Sequence, residues 1–185
     1  MSDQLYEFSR AWEREAEATL ALLRALPDDA YDLRPDPGGR SLGELAWHLA
    51  EVDAYVSVGI QRRSFSLTGK PPHLDRPRRI QDLAPAYRIV HDDATARLAG
   101  LEEGDLGDEV RYADGQLHTI RDLLWHQLIL HHVHHRGQLT VLCRLAGGIP
   151  PPAFGRRRED TAASVSVPVT VPVSVPVPVP VTRNR

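Results

Sequence analysis

The stretch HHVHHRGQL, His131 to Leu139, places four imidazoles within five consecutive positions of the chain. Neutral imidazole nitrogens ligate divalent ions at about 2.0–2.1 Å, so metal chemistry is the first possibility this tract raises. Spacing divides the four. On a helix each residue advances by about 100°, which sets His135 about 40° from His131, His132 near 100° and His134 near −60°. Ile120, Leu124, Gln127, Leu128, Gln138 and Leu142 project within about 60° of His131, which predicts an inward stripe that carries His131 and His135. His132, His134 and His126 then fall on the flanks or outside. Side chains one turn apart have Cβ atoms roughly 6 Å apart, so two nitrogens can meet one ion. Two buried imidazoles without partners would each cost about 1–3 kcal/mol, and a shared metal removes that cost, which favours ligation for this pair.

Other residues carry weaker signals. In ELAWHLAEVD, His48 borders the apolar stripe of Leu45, Leu49, Val52 and Val56, about 60° from Leu45. Taken alone, a histidine at the edge of such a stripe is ordinarily a hydrogen-bonded boundary residue. Gln138, on the inward stripe, suits an amide that orients a ligand or a bound water, or one that bonds across helices. Arg136 lies off the stripe and reads as half of an ion pair. His118, His91 and His73 read as solvated, and Cys143, about 120° from His131, as a small packing residue.

The elements that must position these side chains are helical. Leu5, Phe8, Trp12, Ala16, Leu20 and Leu23 recur at three- and four-residue steps and predict a first helix over Asp3 to Leu26. LPDDAYDLRPDPGGR breaks it, and SLGE is a capping box at Ser41 and Glu44 that opens a second helix running to about Gln61. Residues 62–79 make a long polar crossover. The third helix is IQDLAPAYRIVHDDATARLAGL, expected to begin near Asp82 because Pro85 is tolerated only in a first turn. EVRYADGQLHTI alternates about Asp114-Gly115 and predicts a hairpin with a type I′ turn. Thr119 and Asp122 cap a fourth helix from Ile120 to Leu145, which AGGIPPP closes. The fold expected is all-α: a four-helix bundle over residues 1–155, followed at 156–185 by a valine-proline tail read as extended or disordered.

Composition sets limits on partners. With 22 basic and 25 acidic residues mixed along the chain and a net charge of −3, no electrostatic footprint for nucleic acid or an anionic membrane stands out. The RRR run at 156–158 is too short to change that. A single cysteine excludes an intrachain disulfide. No apolar leader or membrane-length window is present, and a soluble cytoplasmic protein is expected. Glycine-rich phosphate loops, HExxH and CxxC pairs are all missing.

The WH dipeptide of the second helix, followed late in the chain by LLWHQLILHHVHHRGQL, resembles the DinB/YfiT-like superfamily. Its late helix has the form H, four residues, H, three residues, HRGQ. The likeness covers residues 3 to about 150. It implies a four-helix bundle with a long connection between helices two and three, and a divalent metal held by His48, His131 and His135. Here His132 stands where the family often has an acidic or small polar residue. It is expected beside the site with Gln138, with exchange between His131 and His132 the lesser alternative. Three imidazoles leave open coordination positions, the arrangement of a catalytic metal.

The functional expectation is a zinc-, nickel- or iron-dependent enzyme, a transferase or a hydrolase. A low-molecular-weight thiol as co-substrate and transfer of its sulfur to an electrophilic small molecule, in detoxification or stress, are what some relatives imply. The alternative is a non-catalytic, metal-stabilised bundle acting as a dimerisation or regulatory module, with Leu130 and Val133 facing outward toward a second copy.

Overall fold

Four helices and one short hairpin make up the computed structural model, which describes residues 3–65, 70–152 and 155. Met1–Ala153 form one compact unit. The arginine run and the valine-proline tail expected at 156–185 lie outside the described residues. Helix α1 spans Asp3–Leu23, α2 Leu42–Gln61 and α3 Ile80–Leu98. Strands β1, Glu109–Arg111, and β2, Leu117–Thr119, pair antiparallel with Val110 opposite His118. The last helix, α4, is one continuous rod in three parts, α over Ile120–Asp122, π over Leu123–Leu130 and α over His131–Leu145. No helix among the described residues is long and apolar enough to cross a membrane.

Local chemistry accounts for the helix starts. Ser41 Oγ accepts from the Glu44 N–H at 3.3 Å while Glu44 Oε2 accepts from the Ser41 N–H at 2.9 Å, so two donors that the helix leaves open are satisfied reciprocally. Gly43 is required by close approach, since a Cβ there would meet the Tyr31 ring at 2.4 Å. Thr119 caps α4 by accepting from the Asp122 N–H at 3.1 Å.

Three sequence expectations need correction. Helix α1 stops at Leu23, three residues early, where the chain tightens into turns. Helix α3 begins at Ile80, with Arg79 paired to Asp82 across its first turn, so Pro85 sits inside it. The carbonyl that Pro85 deprives of a bond belongs to Gln81, an exposed first-turn residue whose carbonyl water can satisfy. The hairpin turn is not type I′, because only Gly115 has positive φ (81°), and its N–H closes back on the Tyr112 carbonyl at 3.0 Å. That is a three-residue loop with glycine in the left-handed position, the commonest alternative to a two-residue turn.

The apolar core has two parts. One gathers Leu20, Leu23, Trp47, Leu49, Leu83 and Leu139, and the other Phe8, Val56, Ile60, Leu98, Leu124 and Leu128. Burying each such side chain contributes about 1.5–3 kcal/mol. Between the two parts lies a polar layer. Asp53 on α2 is fully buried, and His91 on α3 and His132 on α4 are almost as inaccessible. Asp53 Oδ2 lies 2.8 Å from His91 Nδ1, and Oδ1 accepts from the Trp12 indole N–H at 3.2 Å. Asp53 Oδ1 is also 3.1 Å from His132 Nε2, off the line of a well-formed hydrogen bond. One carboxylate thus ties together all four helices at the level where one apolar cluster gives way to the other.

Candidate metal centre

Helix α2 presents His48 and α4 presents His131 and His135 on their facing flanks, each half-buried. One ring nitrogen from each lies within 4.8 Å of the others. The His48 ring centroid is 5.4 Å from that of His131 and 4.8 Å from that of His135, and the latter two are 4.5 Å apart. The helical spacing of four residues brings His131 Nε2 and His135 Nε2 to 2.7 Å.

Each ring is oriented by a neighbour on its own helix. His48 Nδ1 lies 3.1 Å from Glu51 Oε2, His131 Nδ1 3.0 Å from Gln127 Oε1, and His135 Nδ1 2.8 Å from Gln138 Oε1. The Tyr112 hydroxyl donates to the same Gln127 oxygen at 3.2 Å, which fixes that amide as an acceptor. Hydrogen bonds to oxygen place the proton on each Nδ1 and leave each Nε2 with its lone pair, the tautomer a metal ligand needs. Two lone pairs facing each other at 2.7 Å repel, and a cation between them removes the repulsion. The residues present therefore fit a divalent ion.

Electrostatics point the same way. Burial, and then the neighbouring His135 and His48, push His131 down to about 4. His135 is also lowered, by burial foremost, against a Gln138 hydrogen bond that raises it, with His48, His134 and Arg40 adding to the depression. Both imidazoles are neutral at neutral pH, and neutral nitrogen is what a metal binds.

With this geometry in view, the comparisons with known proteins are direct. A profile of the DinB family matches residues 1–168. The chain belongs to the DinB family. It is 31% identical over 168 residues to the uncharacterised protein YrdA of Bacillus subtilis, covering 88% of this chain and 95% of that one. It is similar to the crystal structure of a DinB-like protein from Bacillus cereus, with 28% identity, a TM-score of 0.67, and coverage of 80% of this chain and 95% of the other. A second DinB-like structure, YjoA of Bacillus subtilis, shares the fold at 23% identity and a TM-score of 0.66, covering 82% and 99% of the two chains.

In this DinB protein the wheel expectations for α4 are displaced. His131 and His135 line the flank toward α2 rather than the core stripe, and Gln138 is exposed. The buried line is His132, Leu139 and Cys143, with the Arg136 side chain only 12% exposed. His132, expected beside the cluster, points to Asp53. Arg136, expected off the stripe, is drawn inward by Glu15, whose carboxylate and backbone carbonyl it meets. His91, expected in solvent, is 1% exposed. The physical reason is shared: Asp53 and Glu15 supply charges that let polar side chains occupy positions an apolar count assigns to solvent. His73, His126 and His134 are exposed and His118 half-buried. Gln127, Glu51 and Tyr112 went unassigned, although two of them stand three or four residues from a histidine, the spacing of helical neighbours.

Proposed function

We propose that this DinB-family protein is a metal-dependent enzyme in which His48, His131 and His135 hold one divalent ion, zinc, nickel or iron, through their Nε2 atoms. The observation that carries the reading is the set of three Nδ1 hydrogen bonds, to Glu51, Gln127 and Gln138, that aims three lone pairs at one another. No carboxylate or thiolate joins them in a four-membered group among the described residues. A metal so held supplies Lewis acidity and lowers the pKa of water or a thiol at its open positions. The chain's own contribution is to orient the three rings and, at His131 and His135, to disfavour protonation.

The reaction class proposed is transfer of a small thiol to an electrophile. Sulfur forms a bond to the electrophilic carbon, the leaving group departs with its bonding pair, and the thiol proton passes to solvent. Metal analysis of the purified full chain, with His48→Ala, His131→Ala and His135→Ala beside it, tests the site. A thiol with 1-chloro-2,4-dinitrobenzene then tests the reaction. The expected result is one metal per chain in the parent and near none in the variants, with the rate lost in parallel. Folded, metal-free parent protein with no rate above background would sink the reading.

A second reading, a non-catalytic module paired through α4, is favoured by Leu130 and Val133, which are 56% and 41% exposed. A chelator that greatly lowers the melting temperature of a protein shown dimeric by light scattering would support it over catalysis.

A further inference from the structure

The groove that opens beside His135 has a composition the metal reading does not use. Its volume is about 520 Å³, inside the range of small-ligand sites. Leu45 and Leu142 form its wall, and Val141 and Leu145 extend it outward at 57% and 62% exposure. Arg40, from the loop before α2, stands in the same lining and is close enough for its charge to act on His135. Neighbouring arginines are neutralised, Arg34 and Arg76 both by Glu44. Arg40 has no ion pair among the described residues. Asp36 also lines the groove, with one carboxylate oxygen accepting from the Gly38 N–H at 3.0 Å.

We propose that this groove is the substrate channel of the histidine cluster, and that Arg40 binds the carboxylate of a substrate whose apolar stem lies along Leu45, Val141, Leu142 and Leu145. The direction of the channel rests on the metal reading of the cluster. An unpaired guanidinium offers a planar fork that matches a carboxylate. The apolar wall beside it, ending at the His135 imidazole, suits a stem whose reactive end reaches the cluster through that ring. Asp36 decides between anions, because a second negative charge on the ligand would meet it, so a singly charged carboxylate is favoured over a phosphate monoester.

Calorimetric titration of the full chain, zinc-treated and metal-free, with octanoate, octyl phosphate and octanol tests the assignment. Octanoate is expected to bind both forms of the parent, more tightly than octyl phosphate. Arg40→Gln is expected to weaken octanoate about tenfold, the worth of one charge-assisted contact, and to leave octanol unchanged. Val141→Gln is expected to weaken octanoate and octanol alike. Octanoate affinity that is absent in the parent, or unchanged in Arg40→Gln, or dependent on zinc alone, would overturn the proposal. If the chain takes up no zinc and octanoate binding still requires Arg40, the carboxylate site stands and the metal reading falls.

Discussion

Two groups of histidines meet on α4 and behave as opposites. His48, His131 and His135 face one another, half-buried, each bonded through Nδ1 to a neighbour on its own helix, Glu51, Gln127 or Gln138. His91 and His132, deeper in the bundle, converge on Asp53. In the first group, burial foremost and then the neighbouring histidines lower His131 and His135. In the second, His91 is raised even though burial opposes it, because the hydrogen bond and charge of Asp53 win, with Glu13 helping. Asp53 itself is held far below the usual carboxylate range: burial alone would raise it, but His132 and His91 together more than offset that cost. Adjacent residues of one helix, His131 and His132, therefore serve different chemistries, decided by whether a carboxylate lies within reach. One cluster turns imidazole nitrogens toward one another, and the other turns them toward a carboxylate.

The contrast can be tested at several strengths. The largest effect is expected from Asp53→Ala, which leaves buried imidazoles and the Trp12 N–H without their acceptor. Loss of a buried ionic partner costs about 3–5 kcal/mol, measurable by urea unfolding. A cost under about 1 kcal/mol would mean that the polar layer holds nothing together. Next come the acceptors of the outer cluster. Gln127→Ala and Glu51→Ala are expected to weaken metal binding by about 10–100-fold with little change in unfolding free energy, read by competition with a chromogenic chelator. Unchanged affinity in both would show that the three Nδ1 bonds do not tune the site.

A subtler separation comes from pH, followed in metal-free protein. The Asp53–His91 pair has a depressed acid and a raised base, so its stabilisation is complete between about pH 4 and 6.5. It is lost as pH rises through the folded-state value of His91 or falls through that of Asp53. His131, at about 4 when folded, binds its proton less readily than an unfolded histidine, so it makes stability fall as pH drops from about 6.5 toward 4. His91→Gln is expected to flatten the alkaline slope and His131→Gln the acidic one, each leaving the other in place. The smallest effect is expected from Tyr112→Phe, which removes one hydrogen bond from Gln127 and should weaken metal binding only a few-fold.

Much of this was legible in the residues. The apolar steps of α1 from Leu5 to Leu23 are all buried, and helices start where Ser41 and Thr119 stand, Ser41 in a reciprocal box with Glu44 and Thr119 as a one-way cap on the Asp122 N–H. Those signals are local, and local chemistry decides them. The histidine triplet could be assembled from spacing and family likeness, and the fold does bring His48, His131 and His135 together. What spacing could not give was the depth of each residue on α4. Whether His132 or His131 faces the core depends on Asp53, which is 79 positions away in the chain (132 − 53). Arg136 likewise turns inward toward Glu15, 121 positions away. A wheel that scores hydrophobicity sees the polar atoms and not the partner that satisfies them.

The same wheel assumed one pitch throughout α4, and the π segment at Leu123–Leu130 departs from it. Four-residue steps in an α-helix drift by about 40° each, so the buried series Ile120, Leu124, Leu128, His132 would wind about 120° around the rod by its third step. Hydrogen bonds five residues apart advance the chain less per residue and absorb that drift. The segment therefore behaves as an accommodated insertion, storing surplus chain without turning the histidines off their bearings. Deleting one residue between Leu123 and Leu130 is therefore expected to leave both histidine clusters in place on an ordinary helix, whereas a deletion just beyond His131 would turn Leu139 and Cys143 off the core.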